Sequence, residues 1–262
     1  MITRILTIIS LLLLILTGCA DKHVSKQSFS RNIDWSRETP ATIKARVTVA
    51  ARQLDIMSAF FQVNMNPPLK KMMSSMAGVI TIDARKSQPK VRIRTFHLFG
   101  SILFDMALVD NEIKIYIPSK KLLYVGRRTE QKMTDNKGPQ TIFANMMIDP
   151  TALAVREDKE IYITPDKVRV FLENGWFDLA ADSGLIMAIH RGNLEINYSD
   201  YKVLGEKTVV PTRIIMHLLD GSFRADCTLS RLSTPRELPA DFFDLVEYKP
   251  VGIKDLRELE NN

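Results

Sequence analysis

Apolar and polar residues alternate along most of the chain after residue 40. Between residues 43 and 49, Ile43, Ala45, Val47 and Val49 occupy every second position. This period of two predicts a β-strand with one dry face and one wet face. The same period recurs in two later series of segments. They span residues 79–84, 91–96, 102–109, 113–117 and 122–125, and then 160–163, 168–172, 176–181, 185–190, 194–203, 209–218 and 223–230.

Turn residues separate these predicted strands. Asp110-Asn111 suits a two-residue turn because both residues tolerate positive φ. Asn174-Gly175 and Asp220-Gly221 are the strongest hairpin signals. Pro211 has no N–H to donate, so its strand begins there, bulges there or lies at an edge. Many short strands with tight turns predict consecutive antiparallel pairing, in a sandwich or in a sheet curled around an apolar interior.

A helical pattern interrupts the strands between residues 137 and 155. Pro139 suits a first helical turn, and the apolar residues that follow it have helical spacing. A short apolar helix between two runs of strands favours the curled sheet, because the helix can cover one opening of the curl. The lid residues predicted from this spacing are Phe143, Met146 and Met147, next to Ile142. The expected fold class is therefore mainly β (α+β), a half-open β-barrel with a short helical lid.

The segment 53–77 also lacks a clear period. Pro67-Pro68 rules out one continuous helix across it. Its apolar residues are Phe60, Phe61, Met65, Met72, Met73 and Met76. Because methionine covers apolar surfaces of varied shape, two interpretations stay open. The residues fill the core, or the segment is a mobile flap against the mouth of an apolar cavity.

The N-terminus has the features of a secretory signal. Arg4 precedes an apolar run, residues 5–16, that is too short to span a bilayer, and Gly18 stands directly before Cys19. Leu16 to Cys19 resembles the lipobox of bacterial lipoproteins. The resemblance implies cleavage before Cys19, diacylglyceryl on its sulfur and an acyl chain on its new amino group. The domains expected are a signal peptide 1–18, a lipid-anchored flexible tether 19–40, a barrel domain 41–248 and a polar C-terminal tail 249–262.

Charge and cysteine content narrow the possible partners. The chain carries 36 Lys and Arg against 30 Asp and Glu, a net charge of +6 at pH 7. The basic residues are spread out and form no run typical of a nucleic-acid site, so we expect no nucleic-acid partner. Because lipid occupies Cys19, Cys227 is left without a disulfide partner. Cys227 alternates in phase with Ala225 and Leu229, which places it on the dry face.

The residues that enzymes need are not arranged as sites. The four histidines lack metal-ligand spacing, Ser183 lies in a turn and not in a nucleophile elbow, and the eleven glycines form no phosphate loop. We therefore expect no enzymatic activity, no metal and no cofactor. His190 and His217 are expected to be half-buried on the polar face of their strands. Trp35, within the tether, is expected to dock at the domain edge.

Three stretches of the chain resemble the periplasmic lipoprotein-localisation proteins LolA and LolB and their relatives, which are half-open β-barrels with a helical lid. Residues 89–125, "PKVRIRTFHLFGSILFDMALVDNEIKIYIPSKKLLYV", resemble their strand, apolar hairpin and two further strands. Residues 209–232, "VVPTRIIMHLLDGSFRADCTLSRL", and 238–245, "LPADFFDL", resemble their closing strands and tail. Two departures are the long segment 53–77 and the lack of an apolar helix ahead of the first strand.

The resemblance carries one site onto this chain by position. The lipid-anchored member of that family has a protruding hairpin with an exposed leucine before a glycine, which matches Leu98 and Phe99 before Gly100. It implies that Leu98 and Phe99 contact the membrane. The alternative is that residues 96–99 pack beneath the flap at 53–77.

The function expected from the resemblance is that of an outer-membrane lipoprotein that faces the periplasm. It would bind acyl chains or lipoproteins in an apolar cavity, either as a LolB-like acceptor supplied by a periplasmic carrier protein or as a lipid-binding relative. The cavity lining expected from strand parity is Val47, Ile82, Ile93, Phe104, Met106, Ile115, Leu172, Met187, Ile196 and Met216. The alternative is a non-enzymatic envelope assembly or scaffolding lipoprotein with a filled barrel. The inner membrane stays open as its location.

Overall fold

A computed structural model describes residues 33–52, 55–66, 75–85, 89–97, 100–110, 112–127, 155–205, 208–245, 247–256 and 258. Within these ranges a short 3-10 helix, Trp35–Arg37, precedes helix α1, Pro40–Arg52. The strands that follow are β1 Ile56–Asn66, β2 Ser75–Asp83, β3 Lys90–Phe96, β4 Ile102–Val109, β5 Glu112–Ile117, β6 Leu122–Arg127, β7 Tyr162–Ile163, β8 Lys167–Leu172, β9 Gly175–Ala180, β10 Ile186–Arg191, β11 Leu194–Leu204, β12 Thr208–Leu218, β13 Arg224–Ser233 and β14 Gly252–Asp255.

All of these strands belong to one sheet, with the order β14-β6-β5-β4-β3-β2-β1-β13-β12-β11-β10-β9-β8-β7. Strands β1 to β6 and β7 to β13 form two antiparallel meanders, because each strand pairs with the next strand along the chain. The pairing of β1 with β13 joins the two meanders. The sheet is curled and unclosed. The prediction of a mainly β, half-open barrel is confirmed, and the alternative of a sandwich is wrong.

Most predicted strands and turns are confirmed, with small shifts in their bounds. Asp110 has a φ of 53°, in the turn that places Val109 opposite Glu112. The turn predicted at Asn174-Gly175 lies one residue earlier, because Gly175 already pairs with Leu172 in β9. A Cβ added to Gly175 would lie 1.9 Å from the backbone oxygen of His190, so only glycine fits at this close strand contact.

Pro211 lies inside β12 and takes the predicted edge position. It is paired with Tyr201 of β11, whereas the pairing of β12 with β13 covers only residues 213–217 of β12. At Pro211 the strand therefore has one partner, and the missing N–H removes no bond from the other side.

The strand predicted at residues 43–49 is wrong, because this segment is part of α1. Ile43 and Val47 are buried, whereas Ala45 and Val49 are exposed. Ile43 and Val47 satisfy helical i,i+4 spacing as well as a period of two, so the pattern alone did not separate the two structures. Thr39 caps the helix by accepting a hydrogen bond from the Thr42 N–H at 3.2 Å. The departure noted from LolA and LolB, a missing helix before the first strand, is therefore also wrong.

Residues 56–66 of the segment 53–77 are not a flap, because they form β1 at the centre of the sheet. Phe61, Val63 and Met65 alternate on its buried face, and Met76 of β2 is also buried. The core-filling interpretation is confirmed for Phe61, Met65 and Met76. Met72 and Met73 lie outside the described residues. Because β1 supplies two central ladders, residues 56–66 are part of the barrel and not an insertion.

Residues from both segments that were predicted to lie outside the barrel domain, the tether 19–40 and the tail 249–262, contact the domain. Trp35 is buried, and its Nε1–H donates a hydrogen bond to the Ala181 carbonyl oxygen at 2.7 Å. The predicted docking of Trp35 is confirmed, and the domain therefore begins before residue 41. At the other end, the predicted tail is wrong for residues 252–255, which form β14 in parallel pairing with β6.

One face of the sheet carries a continuous hydrophobic cluster to which both meanders contribute. Helix α1 adds Ile43 and Val47 to this cluster, which we call the apolar face. The opposite, polar face carries most of the charged residues of the strands, since successive side chains alternate between the faces. Among the described residues, no helix has the length and apolar character that a membrane crossing requires.

Candidate functional site: the apolar face of the curled sheet

The predicted cavity-lining residues are brought together, with one exception. Val47 reaches the apolar face from α1, and the other residues reach it from strands in both meanders. The residues buried there are Val47, Ile82, Ile93, Phe104, Met106, Ile115, Leu172, Ile196 and Met216. The structure therefore brings these side chains together on one face, while the lining of a cavity stays a prediction.

Met187 is the exception, and its predicted place on the apolar face is wrong. Its side chain is 41% exposed, and the cluster contains Ile186 and Ile189 in its place. The register of β10 against β9 shifts between Ile186 and Ala188. A bulge of this kind moves the following residues to the other face, and a period-two pattern cannot reveal its position.

The apolar hairpin between β3 and β4 is described up to its tip. The His97 N–H donates to the Ser101 carbonyl oxygen at 2.8 Å, and the Gly100 N–H donates to the His97 carbonyl oxygen at 2.9 Å. His97, Gly100 and Ser101 are exposed. Gly100 has a φ of 81°, and a Cβ built there would have no neighbour within 4 Å. The described end of this hairpin therefore extends into open space.

Three groups of predicted site residues lie outside the described residues. They are the lipidation site Cys19, the hairpin residues Leu98 and Phe99, and the lid residues Phe143, Met146 and Met147. Their roles stay predictions.

A buried ion pair lies on the polar face of the first meander. Arg92 of β3 donates from Nε and Nη2 to the two carboxylate oxygens of Asp105 on β4, at 3.0 and 2.7 Å. The side chains of Arg92 and Asp105 are only 5% and 0% exposed. Burial opposes the charge of Arg92, but the hydrogen bonds to Asp105 and Glu247 outweigh it, so the pKa of Arg92 lies above its ordinary value.

A segment that follows β13 covers this ion pair. We call residues 242–245 and 247–248 the strap. The Tyr248 hydroxyl donates to Asp105 Oδ2 at 2.7 Å, and burial together with this bond raises the pKa of Tyr248 to about 12. Tyr248 also stacks on Tyr116, with ring centroids 4.1 Å apart. Arg92 donates to the carbonyl oxygen of Phe242. The strap thus covers this part of the polar face, which leaves the apolar face as the candidate binding surface.

A second buried carboxylate lies on the polar face of the other meander. Asp178 of β9 accepts hydrogen bonds from Arg169 Nε and Nη2 at 2.7 and 2.8 Å, and from Lys167 Nζ at 3.0 Å. Burial alone would raise its pKa, but the bonds from Arg169 and Lys167 act more strongly, so the pKa of Asp178 is lowered.

The lowered pKa of Asp178 predicts an acid-dependent contribution to stability. Its stabilisation is complete above the unfolded pKa, about 4, and is lost as the pH falls through the lower folded pKa. We expect Asp178→Asn to cost about 1–3 kcal/mol of unfolding free energy near neutral pH. The difference from the unsubstituted protein should shrink below about pH 4. Urea denaturation at a series of pH values measures it.

The matched control for this experiment is Asp182→Asn, since Asp182 is an exposed carboxylate close to the same hairpin. It should change the unfolding free energy little at any pH. A loss in Asp178→Asn that stays constant down to pH 3 would show that the ionised carboxylate contributes nothing specific.

The remaining residues with reactive groups form no described site. His190 and His217 are half-buried on the polar face, as predicted, and His190 stacks on Trp176 with centroids 3.8 Å apart. Cys227 is buried on the apolar face, as predicted, and burial raises the pKa of its thiol to about 12. Within the described ranges, no group of three or more His, Cys, Asp or Glu side chains is placed to hold a metal ion.

Sequence reasoning missed the polar groups that meet the apolar face. Tyr198 of β11 is buried in the hydrophobic cluster, and its hydroxyl has no hydrogen-bond partner. Tyr201, on the same strand, donates from its hydroxyl to the Ile186 carbonyl oxygen. In the sequence, both tyrosines resemble ordinary strand residues, so no local signal distinguished them.

No protein-family model matches this sequence, and no match was found among curated proteins. Solved structures do match in fold. A DUF1329 family protein from Desulfovibrio piger aligns with a TM-score of 0.58 and 10% identity, over 81% of this chain and 100% of that protein. A proposed outer membrane lipoprotein-sorting protein domain from Vibrio parahaemolyticus aligns with a TM-score of 0.54 and 11% identity, over 80% and 98%.

A LolA superfamily protein from Nitrosomonas europaea aligns with a TM-score of 0.51 and 12% identity, over 79% of this chain and 97% of that protein. Identities this low establish a common fold. With helix α1 ahead of β1, an unclosed antiparallel sheet and one apolar face, the chain has the LolA/LolB-like half-open barrel fold.

Proposed function

We propose that this chain is a lipid-anchored lipoprotein of the cell envelope that shelters acyl chains of lipids or lipoproteins against the apolar face of its sheet. The observation that supports the proposal best is the continuity of the hydrophobic cluster across both meanders of an unclosed sheet. A concave apolar surface that is open on one side removes acyl chains from water without enclosing them permanently.

The finer proposal is that of a LolB-like acceptor in the outer membrane, facing the periplasm. Cys19 would carry the lipid anchor, a periplasmic carrier protein would deliver the cargo, and Phe143, Met146 and Met147 would cover the opening. The fold shared with the Vibrio parahaemolyticus domain, itself proposed to sort outer membrane lipoproteins, supports this version.

The proposed mechanism is passive and includes no catalytic step. Each methylene buried in a bilayer stabilises the buried chain by ~0.8 kcal/mol. The free energy of an acyl chain that the protein covers only partly therefore falls when the chain enters the membrane. The protein would lower the barrier by keeping the chain out of water during transfer. Release would then require no energy source beyond the difference in burial.

One observation favours the alternative of a filled barrel. Helix α1 already packs Ile43 and Val47 onto the apolar face, so part of that face is covered by the chain itself. In that case the protein would be an envelope assembly or scaffolding lipoprotein that uses only its outer surfaces.

Acyl-chain binding by the full mature chain with Cys19→Ser separates the two functions. We expect native mass spectrometry of the delipidated protein mixed with palmitate to show a one-to-one adduct. Leu219→Glu is the matched control, because Leu219 is exposed in the turn between β12 and β13. The control should retain the adduct. A protein that excludes palmitate and every other acyl probe would contradict the carrier function and leave the filled barrel.

A further inference from the structure

Buried polar side chains in this structure are satisfied almost everywhere. Thr95 exchanges hydrogen bonds with the backbone of Phe104, Thr81 bonds to Ser58, and Thr212 donates to the Asp200 carbonyl oxygen. An unpaired buried polar group costs about 1–3 kcal/mol, so each exception calls for a reason. Among the described residues, the buried side-chain atoms without a partner are the Nδ1 atoms of His190 and His217 and the hydroxyl of Tyr198.

Of these atoms, the Tyr198 hydroxyl is the one that belongs to the apolar face. Tyr198 is 5% exposed and part of the hydrophobic cluster, opposite Ile214 of β12. His190 and His217 lie on the polar face, where Trp176 and Glu195 are their neighbours. This hydroxyl is buried in an otherwise apolar cluster, and it can donate to an acceptor that the described part of the protein does not supply.

The ladder between β10 and β11 stops beside the backbone of Tyr198. The pairing of β10 with β11 ends at Ala188 and Asn197, one residue before Tyr198. The register shift in β10 lies at the same place, and Met187 turns outward there. The nearby carbonyl oxygen of Ile186 already accepts from the Tyr201 hydroxyl. Among the described residues, no backbone group of β10 accepts a hydrogen bond from the Tyr198 hydroxyl.

The raised pKa of Tyr198 favours its hydroxyl as the donor of a hydrogen bond to an oxygen atom. Burial raises the pKa of Tyr198, so the hydroxyl keeps its proton at neutral pH and can donate. The neighbouring Tyr201 raises the pKa of Tyr198 further. A partial or full negative charge on a ligand oxygen would be stabilised by this donor.

We propose that the Tyr198 hydroxyl donates a hydrogen bond to the carbonyl or carboxylate oxygen at the head of an acyl chain bound on the apolar face. This inference rests on the proposed function, because it needs a chain on that face. An acyl group is apolar except at this oxygen, so one donor in an apolar surface fixes the position of its head. The ligand class is a fatty acid or a fatty-acyl ester, which share this oxygen.

The test compares two fluorescent probes on the full mature chain with Cys19→Ser. Dansylaminoundecanoic acid carries a carboxylate, whereas N-phenyl-naphthylamine is apolar and has no carbonyl. We expect Tyr198→Phe to lower the affinity for the fatty-acid probe about tenfold, the size of one hydrogen bond to a charged group. The affinity for the apolar probe should stay unchanged. Displacement by palmitate and by methyl palmitate then shows whether the bound head is an acid or an ester.

Tyr201→Phe is the matched control, since it also removes one tyrosine hydroxyl from the same strand. It breaks a bond to the Ile186 carbonyl oxygen, so it should lower the thermal midpoint and weaken neither probe selectively. Tyr198→Phe should keep or raise the midpoint, because its hydroxyl has no partner in the free protein. Equal affinities of Tyr198→Phe and the unsubstituted protein for both probes would overturn the inference. Failure of the unsubstituted protein to bind either probe would instead overturn the proposed function.

Discussion

Replacing Asp105 with leucine is expected to lower the free energy of unfolding by about 3–5 kcal/mol, because the substitution removes the buried counter-ion of Arg92 and leaves only the part-exposed carboxylate of Glu247 to balance its charge. Arg92 is 5% exposed on the polar face and cannot regain its hydration without displacing the strap. The Tyr248 hydroxyl loses its acceptor at the same time. Urea denaturation, followed by tryptophan fluorescence, measures the effect.

Two variants show whether the loss comes from the buried charge. Asp226→Leu removes the carboxylate of the exposed pair Arg213–Asp226, at 46% and 26% exposure, and should cost less than about 1 kcal/mol. Combining Arg92→Met with Asp105→Leu removes both charges and should recover much of the loss. Costs for Asp105→Leu and Asp226→Leu that agree within about 1 kcal/mol would show that the buried pair has no special weight.

The second large effect is expected at the hairpin between β3 and β4. Leu98→Glu combined with Phe99→Glu should abolish binding of the Cys19→Ser protein to zwitterionic liposomes, because carboxylates are costly to place among acyl chains. The thermal midpoint should stay nearly unchanged, since the neighbouring residues His97 and Gly100 are exposed. Liposome flotation and a thermal melt measure the two properties in parallel.

A matched pair of charges at another turn controls for the added negative charge. Leu219→Glu with Ser222→Glu alters the turn between β12 and β13, where Leu219 is exposed. Liposome binding should survive this change. A large drop in the midpoint of the Leu98 and Phe99 variant would instead place those side chains in the core. Equal loss of binding in both variants would show that any added charge is enough.

The alternation of apolar residues predicted most of the sheet because most strands bury one face only. Residues 102–109 form β4 with the predicted bounds, and 91–96 form all but the first residue of β3. The pattern predicted the wrong element where the same residues satisfy both the period of two of a strand and the i,i+4 spacing of a helix, as Ile43 and Val47 of α1 do. The pattern also failed to predict β1. There the adjacent apolar residues Phe60 and Phe61 interrupt the period of two that Phe61, Val63 and Met65 follow.

The candidate site was predicted to a similar extent. The alternation of side chains along each strand placed the buried residues of the candidate site on one face, but a bulge in β10 turned Met187 outward. A bulge is a property of two paired strands, so one strand's sequence cannot locate it. The lack of a hydrogen-bond partner for the Tyr198 hydroxyl could not be predicted either, because it depends on which groups the fold packs around that hydroxyl.

The sequence by itself determined which segments alternate, where the tight turns lie, and that one face of each strand is apolar, because these features depend on neighbouring residues. Only the tertiary structure decided that β1 pairs with β13, that the strap covers Arg92 and Asp105, and that β14 adds to β6. These contacts join residues that are far apart in the chain. They form because burial of apolar area and pairing of buried charges are satisfied across the whole fold.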